Sequence, residues 1–174
     1  YNRNYGESRE PQYPAIILEM LSHQNWQDMR MGHDPYFKFT MGRAIYKGIL
    51  RYLAAVHKCD AVVQPLPVHS VSSMLDVRKK KARLTWQPTI DVLEETAQPT
   101  KYIIYISQGE RGYDNGLAVD AKSTAVDIDL EPGIMYRFRI TAVNSGGESF
   151  PSEEVCCYLA SEDAPHILLV DGFQ

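Results

Sequence analysis

This sequence has little of what usually announces a chemistry: three cysteines, two tryptophans and no surplus of either charge. Cys59, Cys156 and Cys157 cannot all pair within one chain, and the adjacent two point to opposite faces of any strand. One of that pair therefore belongs to a core. A disulfide from Cys59 to either stays open, and no cysteine or histidine spacing has the form of a metal site. A formal net charge of −4, with 23% charged residues, gives no reason to expect nucleic acid as a partner. The one charge block is Arg78-Lys79-Lys80-Lys81, running into Arg83. It reads as a solvated turn and a strand edge that discourages edge-to-edge pairing, rather than as a polyanion site. No apolar run reaches membrane-spanning length. There is neither an initiating Met nor a signal peptide, as expected of a piece of a longer protein.

What the chain does have is turns separating alternating runs. In the stretch LEPGIMYRFRITAVNSGGESFPS, residues 130–152, Pro132-Gly133 reverses the chain and a strand follows. Tyr136, Phe138, Ile140 and Ala142 fall on one face of that strand and Arg137, Arg139, Thr141 and Val143 on the other. Asn144 and Gly146-Gly147 break it, Pro151 bars a return into a central ladder, and residues 155–159 form a last strand. Upstream, Ala82, Leu84 and Trp86 alternate inward, as do Tyr102, Ile104 and Ile106, and residues 125–128 form the strand leading to Leu130. Trp86 is the expected core anchor. The loops are 91–100 and 109–116, the second carrying Arg111, Tyr113, Asp114 and Asn115, polar enough to bind something or merely to connect.

The first third has a different rhythm. Residues 1–13 read as loop, and after Pro14 the run Ala15-Ile16-Ile17-Leu18 reads as a strand buried on both faces, ending at Glu19. Asp34-Pro35 has the form of a helix start, with a helix to about Val56 whose stripe is Phe37, Met41, Ala44, Ile45, Gly48, Ile49, Tyr52 and Leu53. Pro65 and Pro67 mark a boundary. The expected organisation is an α/β fragment at 1–57, a linker at 58–66, a β-sandwich at 67–161, and a second linker at 162–174. That last stretch leads into Ile167, Leu168, Leu169 and Val170 as the first strand of another domain.

Leu-x-Pro-Gly-x-x-Tyr-x-Phe-x-Ile-x-Ala-Val-Asn-x-x-Gly-x-Ser-x-Pro-Ser resembles the end of a fibronectin type III domain. The resemblance implies a two-sheet, immunoglobulin-like β-sandwich, with Leu130 under the turn and Tyr136 as a tyrosine corner bonded to nearby backbone. Residues 13–20, with Asn25, Asp28, Asp34-Pro35, Ala44-Ile45 and Gly48-Ile49, are similar to the last strand and helix of zinc-dependent N-acetylmuramoyl-L-alanine amidases. That resemblance implies a catalytic role for Glu19, the carboxylate that takes a proton from zinc-bound water attacking an amide. It departs at Leu21 and Ser22, where the family has Gly and an aromatic or aliphatic residue. The family's zinc ligands lie upstream of this strand, so the chain alone is expected to hold no zinc and to cleave nothing. His23 and His33, ten apart with no third ligand, read as surface histidines.

An amidase-like end, a fibronectin-like module and a further strand look like large secreted cell-surface proteins of Bacteroidetes-type bacteria, some labelled xanthan lyase. No lyase groove of Tyr, His or Arg is composed here. Two functions compete. One is a fragment of a secreted cell-wall hydrolase acting on peptidoglycan. The other is a non-enzymatic protein that binds a cell-surface glycan, adheres or acts as a scaffold, with a degenerate amidase remnant. A receptor-type fibronectin module would fit the sandwich but leaves residues 14–56 unexplained.

Overall fold

The structure is a computed structural model and describes residues 5–161 and Ala164. The chain divides into two units, Tyr1–His57 and Lys58–Gln174. The strand expected at residues 167–170 lies outside the described residues.

The first unit carries helices α1 (Gly6–Arg9), α2 (Trp26–His33) and α3 (Pro35–His57). Local side chains set the starts of α2 and α3. The Asn25 side chain accepts from the Gln27 N–H at 2.9 Å and caps α2. Asp34 then serves two helices: its own N–H closes α2 on the Met31 carbonyl, and its carboxylate accepts from the Tyr36 N–H at 2.9 Å. With Pro35 at the first helical position, α3 starts where the sequence signal places it.

The expected buried strand does not form. Residues 15–18 adopt no strand and Ile16 is 72% exposed. A strand buried on both faces needs ladder partners and two covering layers, and no described strand pairs with this one. The α3 stripe is likewise left open. Only Ala54 is buried, while Ile49, Tyr52 and Leu53 face solvent.

The second unit is a sandwich of two antiparallel sheets. One has the order β1 (His69–Asp76), β2 (Lys81–Gln87), β5 (Ala125–Asp129). The other runs β4 (Leu117–Asp120), β3 (Lys101–Gln108), β6 (Met135–Asn144), with β7 (Gly147–Glu148) and β8 (Val155–Tyr158) both pairing β6. The first, fourth and seventh strands carry no strong sequence signal: β1 is irregular near His69, and β4 and β7 are short.

Alternation on β2, β3 and β6 fills the space between the sheets as the sequence implies. Ala82, Leu84, Trp86, Tyr102, Ile104, Phe138, Ile140 and Ala142 are all buried in one cluster. The Trp86 and Tyr102 rings meet edge to face at 5.3 Å. The indole N–H makes no hydrogen bond of ordinary geometry. Burial pushes the Tyr102 phenol up, with the nearby indole pulling slightly the other way. Cys157 packs into the same core and Cys156 faces out, as adjacent strand positions must, and all three cysteines are free thiols.

The Tyr136 ring is buried and its hydroxyl accepts from the Glu131 N–H at 3.1 Å, which makes the corner. Gly133, at φ 81, completes the turn and donates its N–H to the Leu159 carbonyl at 2.8 Å. At the other end of β6 the buried Asn144 amide donates to the carbonyls of Val63 (2.9 Å) and Thr96 (3.0 Å). Its oxygen accepts from the Gly146 N–H at 2.8 Å. A Cβ on Gly146 would sit 2.2 Å from the Val62 carbonyl oxygen, so only glycine fits under this segment. The stretch expected as a linker thus includes Val63 and Pro65, both fully buried.

Residues 58–161 are expected to unfold cooperatively by themselves in urea. Trp86→Ala should cost about 3–5 kcal/mol, the range for deleting a buried aromatic. Tyr136→Phe should cost about 1–3 kcal/mol, since it strands the Glu131 N–H. A Phe variant as stable as the parent would show the corner bond to be idle.

Candidate functional site

The same alternation that fills the core sets Arg137, Arg139 and Thr141 of β6, and Tyr105 of β3, on the outer face of the larger sheet. There they form two sets. In the first, the hydroxyls of Tyr105 and Thr141 both donate to one Glu148 carboxylate oxygen, each at 2.7 Å. In the second, the Tyr113 hydroxyl donates to Glu154, and Arg139 donates to the same oxygen at 3.2 Å. The Arg139 guanidinium also lies over the Tyr113 ring, 4.8 Å from its centroid. Beside them Arg137 donates to the Gly109 carbonyl (2.6 Å) and to the Ser107 hydroxyl (3.1 Å), which in turn donates to the Arg111 carbonyl at 2.6 Å.

The loop at 109–116 is therefore built into the sheet. Asp114 accepts from the N–H groups of Ile106 (3.0 Å) and Gly116 (2.9 Å), and its own N–H returns to the Ile106 carbonyl at 2.9 Å. A side chain continues the ladder where β4 has ended. Of the polar residues noted there, Tyr113 and Asp114 are committed to the fold, while Arg111 stays exposed. Sequence pattern marked Tyr113 as a candidate. It gave no sign that Glu148 and Glu154, thirty or more residues on, would be its neighbours across the face.

The basic block forms the turn between β1 and β2. Lys79 pairs with Asp76 within the turn at 3.6 Å, while across the sheet Lys81 pairs with Asp129 at 3.1 Å and Arg83 with Asp127 at 3.4 Å. All three pairs are solvent-exposed and contribute little to stability.

Glu19 lies exposed in a segment without regular secondary structure, and His23 and His33 are exposed as well. The structure does not bring them together. Among the described residues no three His, Cys, Asp or Glu side chains are grouped so as to hold a metal ion. No helix among the described residues is long and apolar enough to cross a membrane.

The outer face is electrostatically tuned. The Tyr113 hydroxyl, helped by Arg139 and Arg137, holds the Glu154 carboxyl below the usual range. Burial, then the bond to Glu154, pushes the Tyr113 phenol up, and the bond to Glu148 does the same for Tyr105. A depressed carboxyl stabilises the fold above its unfolded pKa, and that stability is lost as pH falls through the folded value. The raised phenols act oppositely: their contribution is complete below about pH 10 and is lost as pH rises past it. Urea melts of the wild type should therefore weaken below about pH 4.3 and above about pH 10. Glu154→Gln should shallow the acid limb, and Tyr113→Phe should shallow both. An unchanged acid limb in Glu154→Gln would show that this carboxylate is not held.

Residues 66–157 match the family model described as the fibronectin type III domain. Among curated proteins, the mouse neuronal cell adhesion molecule is 29% identical over 146 residues, covering 76% of this chain. The chain spans only 11% of that protein's length. Among solved structures, the fourth FNIII domain of a human protein is 22% identical, with a TM-score of 0.48, covering 59% of this chain and 85% of the other. The twitchin kinase region of C. elegans is 21% identical, also with a TM-score of 0.48, covering 59% of this chain and 18% of that one. With a family model matching over half its length and a tyrosine corner closing its two-sheet sandwich, this chain belongs to the fibronectin type III family.

Proposed function

We propose that this chain contributes a non-catalytic binding and spacing module to a larger adhesion or scaffold protein at a cell surface. The contact surface in this reading is the outer face of the β4-β3-β6-β8 sheet. The observation that carries it is the locked state of Tyr105, Tyr113, Arg139, Glu148 and Glu154. Aromatic and Arg side chains are enriched where proteins meet, and side chains already fixed by their neighbours lose little entropy on docking. The likeness to the adhesion molecule supports the same reading. Residues 58–161 should be coated on beads and assayed for bead-to-bead adhesion and for co-sedimentation with purified peptidoglycan, the glycan expected from the amidase resemblance. Retention in either assay, reduced about tenfold by Arg139→Gln with Tyr105→Ser, is the expected outcome. Retention that ignores both substitutions, or none at all, would discard this face as the contact surface.

A second reading keeps the amidase resemblance, supported by the open apolar surfaces of residues 15–18 and of α3, which suit a strand and helix awaiting further layers. Glu19 would then serve as a proton acceptor in the longer protein. Glu19→Gln in that protein should leave zinc content unchanged while amide hydrolysis falls about a hundredfold or more. Turnover retained by the Gln variant would make Glu19 a surface carboxylate.

A further inference from the structure

Val92 and Leu93 are the most exposed large hydrophobic residues described, at 87% and 84%, and Ile90 beside them is 67% exposed. All three sit in the loop between β2 and β3. Isolated aliphatic residues on a surface are ordinary, but three together at one tip are not. The loop that carries them is held firmly. The Thr89 hydroxyl donates to the Pro67 carbonyl at 2.5 Å, and the Asp91 side chain and carbonyl accept from the N–H groups of Leu93 and Glu94, each at 3.1 Å. Beyond the tip, Glu94 and Ala97 are buried, Thr96 donates to Glu94 at 2.8 Å, and Asn144 donates to the Thr96 carbonyl. The backbone is thus anchored on both sides of Val92 while its side chains are held out into water.

We infer that this tip docks into a concave apolar cleft on a partner protein whose rim carries Lys or Arg. Shape and area favour that occupant. Two copies meeting tip to tip would bring convex surfaces together and bury well under the roughly 1,200 Å² of a stable interface. Charge points the same way. From residue 88 to 100 the loop has no Lys or Arg, and its acidic residues outside the core are Asp91 and Glu95, which opposes an anionic lipid surface and suits a basic rim. Glu95 is exposed and makes no hydrogen bond or ion pair among the described residues, so its charge is available to that rim. This surface is separate from the outer sheet face, and its test uses different residues, so either can fail alone.

The test places the photoreactive residue benzoylphenylalanine at position 92 of the full chain, in cells that make the protein. The cross-linked peptide of the captured species is then identified. The expected result is one protein, cross-linked within an apolar cleft bordered by Lys or Arg. Yield should fall about tenfold or more with Leu93→Asp. The same label at exposed Lys80 should capture nothing. Leu93→Asp should melt in urea as the wild type does, since that side chain is in water, and Ile90→Ser is a second variant expected to weaken capture. Cross-linking to another copy of the chain overturns the inference, as does a dimer by sedimentation. So does binding to phosphatidylcholine vesicles with or without phosphatidylserine, or the absence of any specific product.

Discussion

Strand β6 runs through the middle of its sheet, so both of its edges must find partners for buried backbone N–H and C=O groups. On one edge β3 supplies an unbroken ladder from Lys101 opposite Val143 to Gln108 opposite Tyr136. The other edge is assembled from pieces. β8 pairs with Met135 to Phe138 and β7 with Val143 and Asn144, while Pro151 prevents a strand from filling the gap. There the Ser152 and Ser149 hydroxyls accept from the N–H groups of Ile140 (3.0 Å) and Ala142 (2.9 Å), and their own N–H groups return to the same residues' carbonyls. Two serines thus imitate a strand. Because β6 is satisfied throughout, its inward residues can form the core and its outward residues the candidate contact face.

The outer face follows from that register. Arg139 and Thr141 are two residues apart on one side of β6, and each reaches a glutamate from the returning chain, Glu154 and Glu148. Tyr113 and Tyr105 come from the opposite direction and donate to the same two carboxylates. Each carboxylate receives two donors, which fixes all the side chains at once.

The two units contrast in what holds them. In the sandwich, thirteen of the described residues form one buried cluster. In the first unit α2 and α3 are defined by their caps, Asn25 and Asp34, and by the Asp28 carboxylate accepting from the Ser22 N–H at 2.9 Å, with Ala54 alone buried among the described residues of the helices. Caps contribute about 1 kcal/mol each and decide where a helix begins; they do not supply a core.

Local rules written in the sequence therefore determined a good deal. Asp34-Pro35 set the start of α3, Pro132-Gly133 set a turn, and period-two alternation separated the buried Tyr136, Phe138, Ile140 and Ala142 from the outward Arg137 and Arg139. Each depends only on neighbours in the chain, which is why it was legible. Whether residues 15–18 became a strand depended on partners that the local pattern could not supply, and the apolar run stayed in water. Only the tertiary structure decided that Asn144 would clasp Val63, that Glu148 and Glu154 would anchor two tyrosines, and that Val92 and Leu93 would stand on a rigid tip. Those outcomes join residues up to 81 positions apart, and contacts of that range follow from how two sheets close on each other rather than from any periodicity in the chain.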